Sequence, residues 1–112
     1  EWENIEGLKL LLNVPSIDVN IVDKHAYSAV HRTVVYGDNI EGLKLLLSHP
    51  SLTALTLNQK DTVFGNTPVM IAGRRQKLKH LELLTEDLRV DLDTTDKEGK
   101  SLEEVAFENY NW

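Results

Sequence analysis

The chain contains no cysteine among its 112 residues. This absence excludes a disulfide framework, a zinc site built from thiolates and a cysteine nucleophile. It also fits a reducing compartment, so we expect a cytoplasmic or nuclear protein.

Long apolar runs and phosphate-binding loops are missing as well. No run approaches the roughly 18 apolar residues of a membrane-spanning helix, and Glu1 stands where a signal peptide would have a basic and then apolar start. We therefore expect no membrane association. Gly65-Asn66-Thr67 is a lone turn glycine followed by a helix cap, without the glycine spacing that binds phosphate.

The sequence also lacks a basic stretch. The formal net charge is -6, and residues 86–112 carry nine acids against three bases, whereas residues 1–85 carry nine of each. A chain of this kind repels phosphate backbones, so we expect no nucleic-acid partner.

The sequence also lacks the residue patterns typical of catalytic and metal-binding sites. The four histidines (His25, His31, His49 and His80) include no pair at i, i+4 and no H-E-x-x-H motif. Glu103 and Glu104 could be called a carboxylate pair, but they are better explained as residues of a first helical turn. Their negative charge is favourable there because it lies at the positive end of the helix dipole. We expect no enzymatic activity, metal or cofactor.

The most informative feature of the sequence is a nine-residue segment that occurs twice. NIEGLKLLL occurs at residues 4–12 and again at residues 39–47. A third copy is less regular: LELLTEDLRVDLD at residues 81–93 aligns with LKLLLNVPSIDVN at residues 8–20. Self-similarity at this period indicates a repeat architecture.

A second kind of unit lies between these copies. It reads DKHAYSAVHRT at residues 23–33, TVFGNTPVMIA at 62–72 and DKEGKSLEEVA at 96–106. Ser28, Thr67 and Ser101 are good N-cap residues, and Pro68 suits a first helical position. We predict helices that begin there and end near residues 36–37, 75–76 and 110–111. The short gaps to the leucine-rich helices predict antiparallel hairpins.

The two units together resemble the ankyrin repeat, whose pattern is D-x-x-G-x-T-P-L-H-x-A, a turn, a leucine-rich helix and a D-V-N close. The matching residues are Asp23, His31 and Gly37, then Gly65, Thr67, Pro68 and Ala72, then Asp96, Gly99 and Ala106, with Asp18-Val19-Asn20 as the close. The departures are Ala26 for the turn glycine, Ala29 and Leu102 for the proline, and Thr33 for the helix alanine.

This resemblance implies an all-α, ankyrin-like solenoid of stacked antiparallel helix pairs with protruding fingers. The whole chain is then one array. It would comprise a partial repeat at 1–22 with the second helix only, repeats at 23–61 and 62–95, and a partial repeat at 96–112 with the first helix only. Such a chain is either a fragment of a longer array or is capped by its terminal aromatic residues, Trp2, Phe107, Tyr110 and Trp112.

Two further structural expectations concern the core. Helical spacing predicts that both leucine-rich copies bury the same face, formed by Ile5, Leu8, Leu11 and Leu12 in one and by Ile40, Leu43, Leu46 and Leu47 in the other. The link from Leu52 to Asn66 is about five residues longer than its counterpart. Its apolar alternation fits either a short strand or a cover over the array.

The resemblance also implies function, because ankyrin arrays hold protein partners on the concave face formed by fingers and first helices. The corresponding positions with binding chemistry are Lys24, His25, Tyr27, Val35, Tyr36, Val63, Phe64, Asn66, Arg74 and Arg75. Aromatic residues beside arginine are enriched among binding hot spots. The alternative is that Val35 and Tyr36 pack on Phe64 while the arginines are only solvated. His31 occupies a position at which the family has a histidine whose ring ties neighbouring loops together by hydrogen bonds. The resemblance therefore implies a structural role for His31.

The leading hypothesis is therefore a non-enzymatic protein-binding module or scaffold. A second hypothesis is a structural fragment of a longer array whose open ends stack on missing repeats or on another copy of the chain. For the chain itself we expect a monomer or weak self-association through the exposed repeat ends. The unusual framework residues would equally suit an engineered binder. A third hypothesis, an enzyme with His25 or His49 as a base under the long loop, has no substrate class to support it.

Overall fold

The computed structural model describes residues 5–36 and 38–108, which contain seven short helices joined by turns and loops. They are α1 (Ile5–Leu12), α2 (Ala29–Val35), α3 (Ile40–Leu47), α4 (Ala54–Leu57), α5 (Pro68–Arg74), α6 (Leu78–Glu86) and α7 (Leu102–Glu108). These residues contain no strand, only two isolated bridges, Val22–Ser28 and Thr95–Ser101. None of these helices has the length and apolar character needed to cross a membrane.

Side-chain caps explain where three of the helices begin. The hydroxyl of Ser28 accepts a hydrogen bond from the backbone of His31 (3.3 Å), and the hydroxyl of Thr67 accepts one from Met70 (3.4 Å). Ser101 accepts one from Glu104 in the same way (3.2 Å). These hydrogen bonds confirm the three predicted helix starts. They form because the first turn of a helix leaves N–H groups unpaired, and a cap hydroxyl accepts from one of them.

The helix ends agree with the prediction where they can be compared. Helix α2 ends at Val35 and helix α5 at Arg74, each within two residues of the predicted end. The predicted end of the last helix, near residues 110–111, lies outside the described residues. So does Gly37, which the sequence places in the turn after α2.

The helices pack in two rows. Helices α2, α5 and α7 form one row, in which α5 contacts both of the others. Helices α1, α3 and α6 form the second row, with α3 in the middle. The rows are joined where α2 packs on α3 and α5 packs on α6, across connections at residues 36–39 and 75–77. This arrangement gives an elongated molecule of 43 × 26 × 24 Å.

The hydrophobic core lies between the two rows. Val30, Val34 and Met70 from the first row are fully buried, as are Leu43 and Leu84 from the second. Burying one such leucine stabilises the folded state by about 2 kcal/mol, whereas an isolated pair of short helices is marginal in water. Packing between neighbouring helices is therefore the main source of stability.

The prediction that both leucine-rich copies bury the same face is wrong for α1. Helices α1 and α3 have the same sequence, IEGLKLLL, and Leu43 and Leu46 of α3 are 0% and 2% exposed. Helix α1 has no buried residue, and its Leu11 is 55% exposed. The reason is position: α3 lies among α1, α2 and α6, while α1 packs mainly on α3.

The segment after α3 covers the core as a helix. Residues 54–57 form helix α4, in which the Thr53 hydroxyl accepts a hydrogen bond from the backbone of Thr56 (3.2 Å). Leu52 and Leu57 are buried, and Leu55 points to solvent. The strand alternative is therefore wrong and the covering role is confirmed. Of the predicted aromatic caps, Trp2, Tyr110 and Trp112 lie outside the described residues, and Phe107 is largely exposed.

Candidate functional site

Three turns with the same construction project beside the first row of helices, and each begins at an aspartate. One carboxylate oxygen of Asp23 accepts hydrogen bonds from the N–H groups of His25 and Tyr27 (2.8 and 3.0 Å). The carboxylates of Asp61 and Asp96 bind backbone N–H groups of their own turns in the same way. This is why stretches that open with aspartate fold locally as turns. We call residues 23–27, 61–66 and 96–100 fingers 1, 2 and 3.

Finger 2 is one residue longer than the other two. The backbone turns with positive φ at Ala26 (63°), Gly65 (74°) and Gly99 (80°). This residue is the third after the aspartate in fingers 1 and 3 but the fourth in finger 2. At Gly65 a Cβ atom would lie 2.8 Å from the backbone nitrogen of Lys97, so glycine is required there. Ala26 takes the same conformation despite its methyl group.

Backbone hydrogen bonds join the fingers into a row. The N–H of Thr62 in finger 2 donates to the carbonyl of His25 in finger 1 (2.9 Å). The N–H of Lys97 in finger 3 donates to the carbonyl of Phe64 (3.1 Å), and the ammonium of Lys97 donates to the carbonyl of Thr62. The fingers therefore hold one another in place, and their tips form one continuous edge.

His31 ties the first helix to the second finger. Its ring is buried, and because the N–H of Ser28 donates to Nδ1 (3.0 Å), the ring proton sits on Nε2. Nε2 donates to the carbonyl of Asn66 (3.2 Å). Burial lowers the pKa of His31 below its ordinary value, which keeps the ring neutral. This is the structural role that the resemblance implies.

A first cleft, of about 290 Å³, opens between finger 1 and α2. It is lined by Asp23, His25, Tyr27, Arg32, Val35 and Tyr36. Arg32 donates a hydrogen bond to the carboxylate of Asp23 (2.8 Å), and its guanidinium lies 6.0 Å from the centre of the Tyr36 ring. This distance allows a cation–π interaction. Hydrogen bonds from the backbone N–H groups of Tyr27 and His25, together with Arg32, lower the pKa of Asp23 below its ordinary value.

A second cleft, of about 470 Å³, lies between fingers 2 and 3 and the end of α5. It is lined by Val63, Phe64, Asn66, Arg74, Asp96, Lys97 and Glu98. Arg74 donates to the carboxylate of Asp96 at 2.8 Å. Burial raises the pKa of Asp96, but hydrogen bonds from its own turn and the charge of Arg74 outweigh that effect and hold the pKa below its ordinary value.

The structure brings most of the predicted site residues into these two clefts. His25, Tyr27, Val35 and Tyr36 line the first, and Val63, Phe64, Asn66 and Arg74 line the second. Lys24 is exposed in finger 1, outside both linings. Arg75 is also outside them, but its guanidinium donates to the carbonyl of Val35 beside the first cleft (3.4 Å).

Exposure divides the predicted residues into two groups. Tyr36 and Phe64 are 64% and 62% exposed, so most of each aromatic ring is accessible to solvent. Tyr27, Val35 and Arg74 are half-buried. The prediction that Asn66 is accessible to a partner is wrong, because Asn66 is only 4% exposed. Its carbonyl accepts hydrogen bonds from Nε2 of His31 and from the N–H of Asp61.

Arg32 is a cleft residue that the sequence reasoning missed. It follows the cap residue Ser28 by one helical turn, so its side chain returns toward finger 1, where the aspartate that opens the turn accepts its hydrogen bond. The sequence pattern that could have identified it is a basic residue one turn into a helix, where the helix follows a turn that begins with an aspartate. That pattern identifies an intramolecular ion pair on the edge of a cleft.

Residues 5–36 and 38–108 contain no group of three or more His, Asp or Glu side chains placed to hold a metal ion. Of the two histidines considered as bases, His25 lies on the surface in finger 1. The ring of His49 forms a 3.0 Å hydrogen bond to the carbonyl of Leu12. His49 therefore joins the loop after α3 to the end of α1.

No model of a known protein family matches this sequence, and comparison with characterised proteins gives no significant match.

Proposed function

We propose that this chain is an ankyrin-like repeat array whose function is to bind another protein without catalysing a reaction. The binding face would be formed by fingers 1 and 2 and by the cleft-lining ends of α2 and α5. The observation that carries the proposal is the exposure of two large aromatic side chains, Tyr36 and Phe64, at the edges of neighbouring clefts. Aromatic side chains are enriched among the residues that dominate binding energy, and clefts are where ligands usually bind.

The repeat interpretation is supported by hydrogen bonds at a recurring sequence separation. His31 bonds to the carbonyl of Asn66, 35 residues away, and His49 bonds to that of Leu12, 37 residues away. Asn20 and Asn58 each donate to a carbonyl 31 residues further along the chain. Contacts of this spacing are what stacked copies of one unit of about this length would make.

The binding interpretation is supported by the chemistry and rigidity of the face. Tyrosine and arginine are enriched among residues that dominate binding energy, and Tyr36 stands beside Arg32 and near Arg75. The fingers are joined to each other and to α2 by backbone and histidine hydrogen bonds. A surface that is already ordered loses little conformational entropy when a partner binds.

The test is affinity capture from a cell lysate with the unaltered protein and with the double variant Tyr36→Ala, Phe64→Ala. A matched control is Leu78→Ala, Leu88→Ala, because both leucines are highly exposed and line neither cleft. We expect a captured partner to bind the Tyr36, Phe64 variant more weakly by about 2 kcal/mol or more, and the control normally. Equal capture by all three proteins, each folded by circular dichroism, would contradict the proposal.

A second candidate function, self-association, is favoured by a different observation. The leucine-rich face that α3 buries is less completely covered on α1, where Leu11 is 55% exposed, although the two helices have identical sequences. A second copy that covered this face would bury apolar surface and be stabilised by it. Light scattering coupled to size exclusion, over a range of protein concentrations, tests this candidate. A strictly monomeric protein at high concentration would contradict it.

A further inference from the structure

Charge is distributed unevenly along the face formed by the fingers and the first row of helices. Residues 23–36 and 61–75, which supply fingers 1 and 2 with α2 and α5, contain four lysines and arginines and two acids. Residues 96–108, which supply finger 3 and α7, contain two lysines and five acids. The part of the face with exposed aromatic residues is thus locally basic, in a chain whose net charge is -6.

The two acids of the basic part are already used within the fold. Asp23 accepts hydrogen bonds from two backbone N–H groups and from Arg32. Asp61 is only 3% exposed, and one of its carboxylate oxygens accepts hydrogen bonds from three N–H groups of its own turn. Asp61 is therefore inaccessible to a cationic group from a partner, and Asp23 is already paired with Arg32.

The bases around the first cleft are more accessible. The side chain of Arg32 is 53% exposed beside Tyr36. Arg75 is exposed, and its contact with the Val35 carbonyl is long at 3.4 Å. Lys24 is exposed in finger 1. Arg74 of the second cleft differs, because its side chain is only 29% exposed and is paired with two acids, Asp96 and Glu108, whereas Arg32 is paired with Asp23 alone.

We infer that the occupant of the first cleft is an extended acidic peptide segment of the partner protein, with a large apolar side chain next to its acidic residues. Its carboxylates meet the guanidinium groups of Arg32 and Arg75, which can bind a carboxylate through paired N–H donors. Its apolar side chain packs on Tyr36. The inference names the partner chemistry for the proposed protein-binding function and rests on that function.

The acids of finger 3 and α7 add a directional element. Glu98 and Glu103 are exposed and would repel an acidic segment that extended past the second cleft. The acidic residues of the ligand are therefore confined to the half of the face that holds Arg32 and Arg75. Complementary charges of this kind mainly fix orientation and speed association, while the aromatic contacts supply most of the affinity.

A random peptide library displayed on phage, selected on the immobilised protein, provides a probe of defined chemistry. We expect the selected peptides to be enriched in Asp and Glu next to Phe, Leu, Trp or Tyr. A labelled peptide from this selection should bind more weakly as salt is raised, because exposed ion pairs are screened. Peptides without acidic enrichment, or with basic enrichment, would overturn the inference, as would selection of none above an empty support.

Charge-reversed variants then locate the acidic contact. Arg75→Glu should weaken binding of the selected peptide by about tenfold or more. Lys79→Glu makes the same change in net charge on an exposed residue of α6 outside the first cleft, and it should change binding less than about twofold. Arg75→Gln, which adds no acid at the end of α5, should give an intermediate loss. Equal effects of Arg75→Glu and Lys79→Glu would overturn the inference.

Binding of the same peptide distinguishes failure of this inference from failure of the proposed function. Binding that is lost in Tyr36→Ala, Phe64→Ala but unchanged in Arg75→Glu would leave the binding face intact and refute the acidic ligand. Binding that is unchanged in both variants would refute the binding face itself. Circular dichroism of each variant shows whether it is folded, and the backbone N–H of residue 75 keeps its bond to Ile71 (2.9 Å) whichever side chain is present.

Discussion

Helices α1 and α3 have the same eight residues, yet α3 is buried in the core while α1 only packs against it. In α3, Gly42, Leu43 and Leu46 are buried, whereas α1 has no buried residue. The difference lies in the neighbours, because α3 packs against α1, α2 and α6. An amphipathic pattern thus shows which face of a helix can be buried, and the adjacent helices decide whether it is.

The largest test of this comparison removes the same leucine from each helix. Leu46→Ala should lower the free energy of unfolding by about 2 to 5 kcal/mol, because it leaves a cavity between packed helices. Leu11→Ala, at the equivalent position of α1, should change it by no more than about 0.5 kcal/mol, since Leu11 is 55% exposed. Urea unfolding of both variants makes the measurement. Equal losses would show that the two helices are buried alike.

A second test uses pH, because both helices that join α3 to the rest of the core carry a buried histidine. Burial lowers the pKa of His31 in α2 and of His80 in α6 below the ordinary value of 6.5. The unfolded chain then binds more protons than the folded chain, so stability should be constant above about pH 6.5 and fall as the pH is lowered through that value. Urea unfolding at about pH 7.5 and about pH 5.5 measures the difference.

The carboxylates act in a different range of pH. The pKa values of Asp23, Asp87 and Asp96 lie below the ordinary value of 3.8, so their stabilising contribution is lost only in stronger acid. A loss of stability that begins only there, with none between about pH 7.5 and about pH 5.5, would contradict the assignment of two neutral buried histidines.

A smaller effect is expected at the start of α3. The side-chain oxygen of Asn39 accepts a hydrogen bond from the N–H of Gly42 (3.0 Å) and so caps the helix. Asn39→Ala should lower the free energy of unfolding by about 1 kcal/mol, while Asn39→Asp, which keeps an acceptor, should lose only a few tenths. Thermal unfolding of the two variants separates the cap from other effects of the substitution. Equal destabilisation would argue against the cap.

The smallest effect concerns Gly7 and Gly42, which are the third residues of α1 and α3. A Cβ atom on Gly7 of α1 would meet nothing within 4 Å, so Gly7→Ala should stabilise the protein by about 0.5 kcal/mol through higher helix propensity. On Gly42 of α3 it would lie 2.6 Å from the cap oxygen of Asn39. Gly42→Ala should therefore give no gain, and a stabilisation equal to that of Gly7→Ala would contradict the tighter surroundings of α3.

Local features were predictable from the sequence, and features that depend on neighbours were not. The helix starts at Ser28 and Thr67 follow from hydrogen bonds within one turn, and the sequence shows them directly. The exposure of α1 depends on which helices surround it. Helix α4 was ambiguous because a run of so few apolar residues does not distinguish the helical period from the strand period.

The candidate site shows the same division. Exposed Tyr36 and Phe64 were predictable from their positions near a helix end and a turn. Burial of Asn66 was not, because it results from the contact between finger 2 and a histidine 35 residues earlier in the chain. The Asp23–Arg32 pair spans only nine residues, yet recognising it required the angle between finger 1 and α2.

The central claim is that fingers 1 and 2 form a binding face centred on Tyr36 and Phe64. The most direct measurement is the Kd of a captured partner for the unaltered protein and for the folded double variant Tyr36→Ala, Phe64→Ala. The proposed binding face predicts that the Kd rises by about thirtyfold or more, the equivalent of 2 kcal/mol. An unchanged Kd would show that the partner binds elsewhere on the molecule and would contradict the claim.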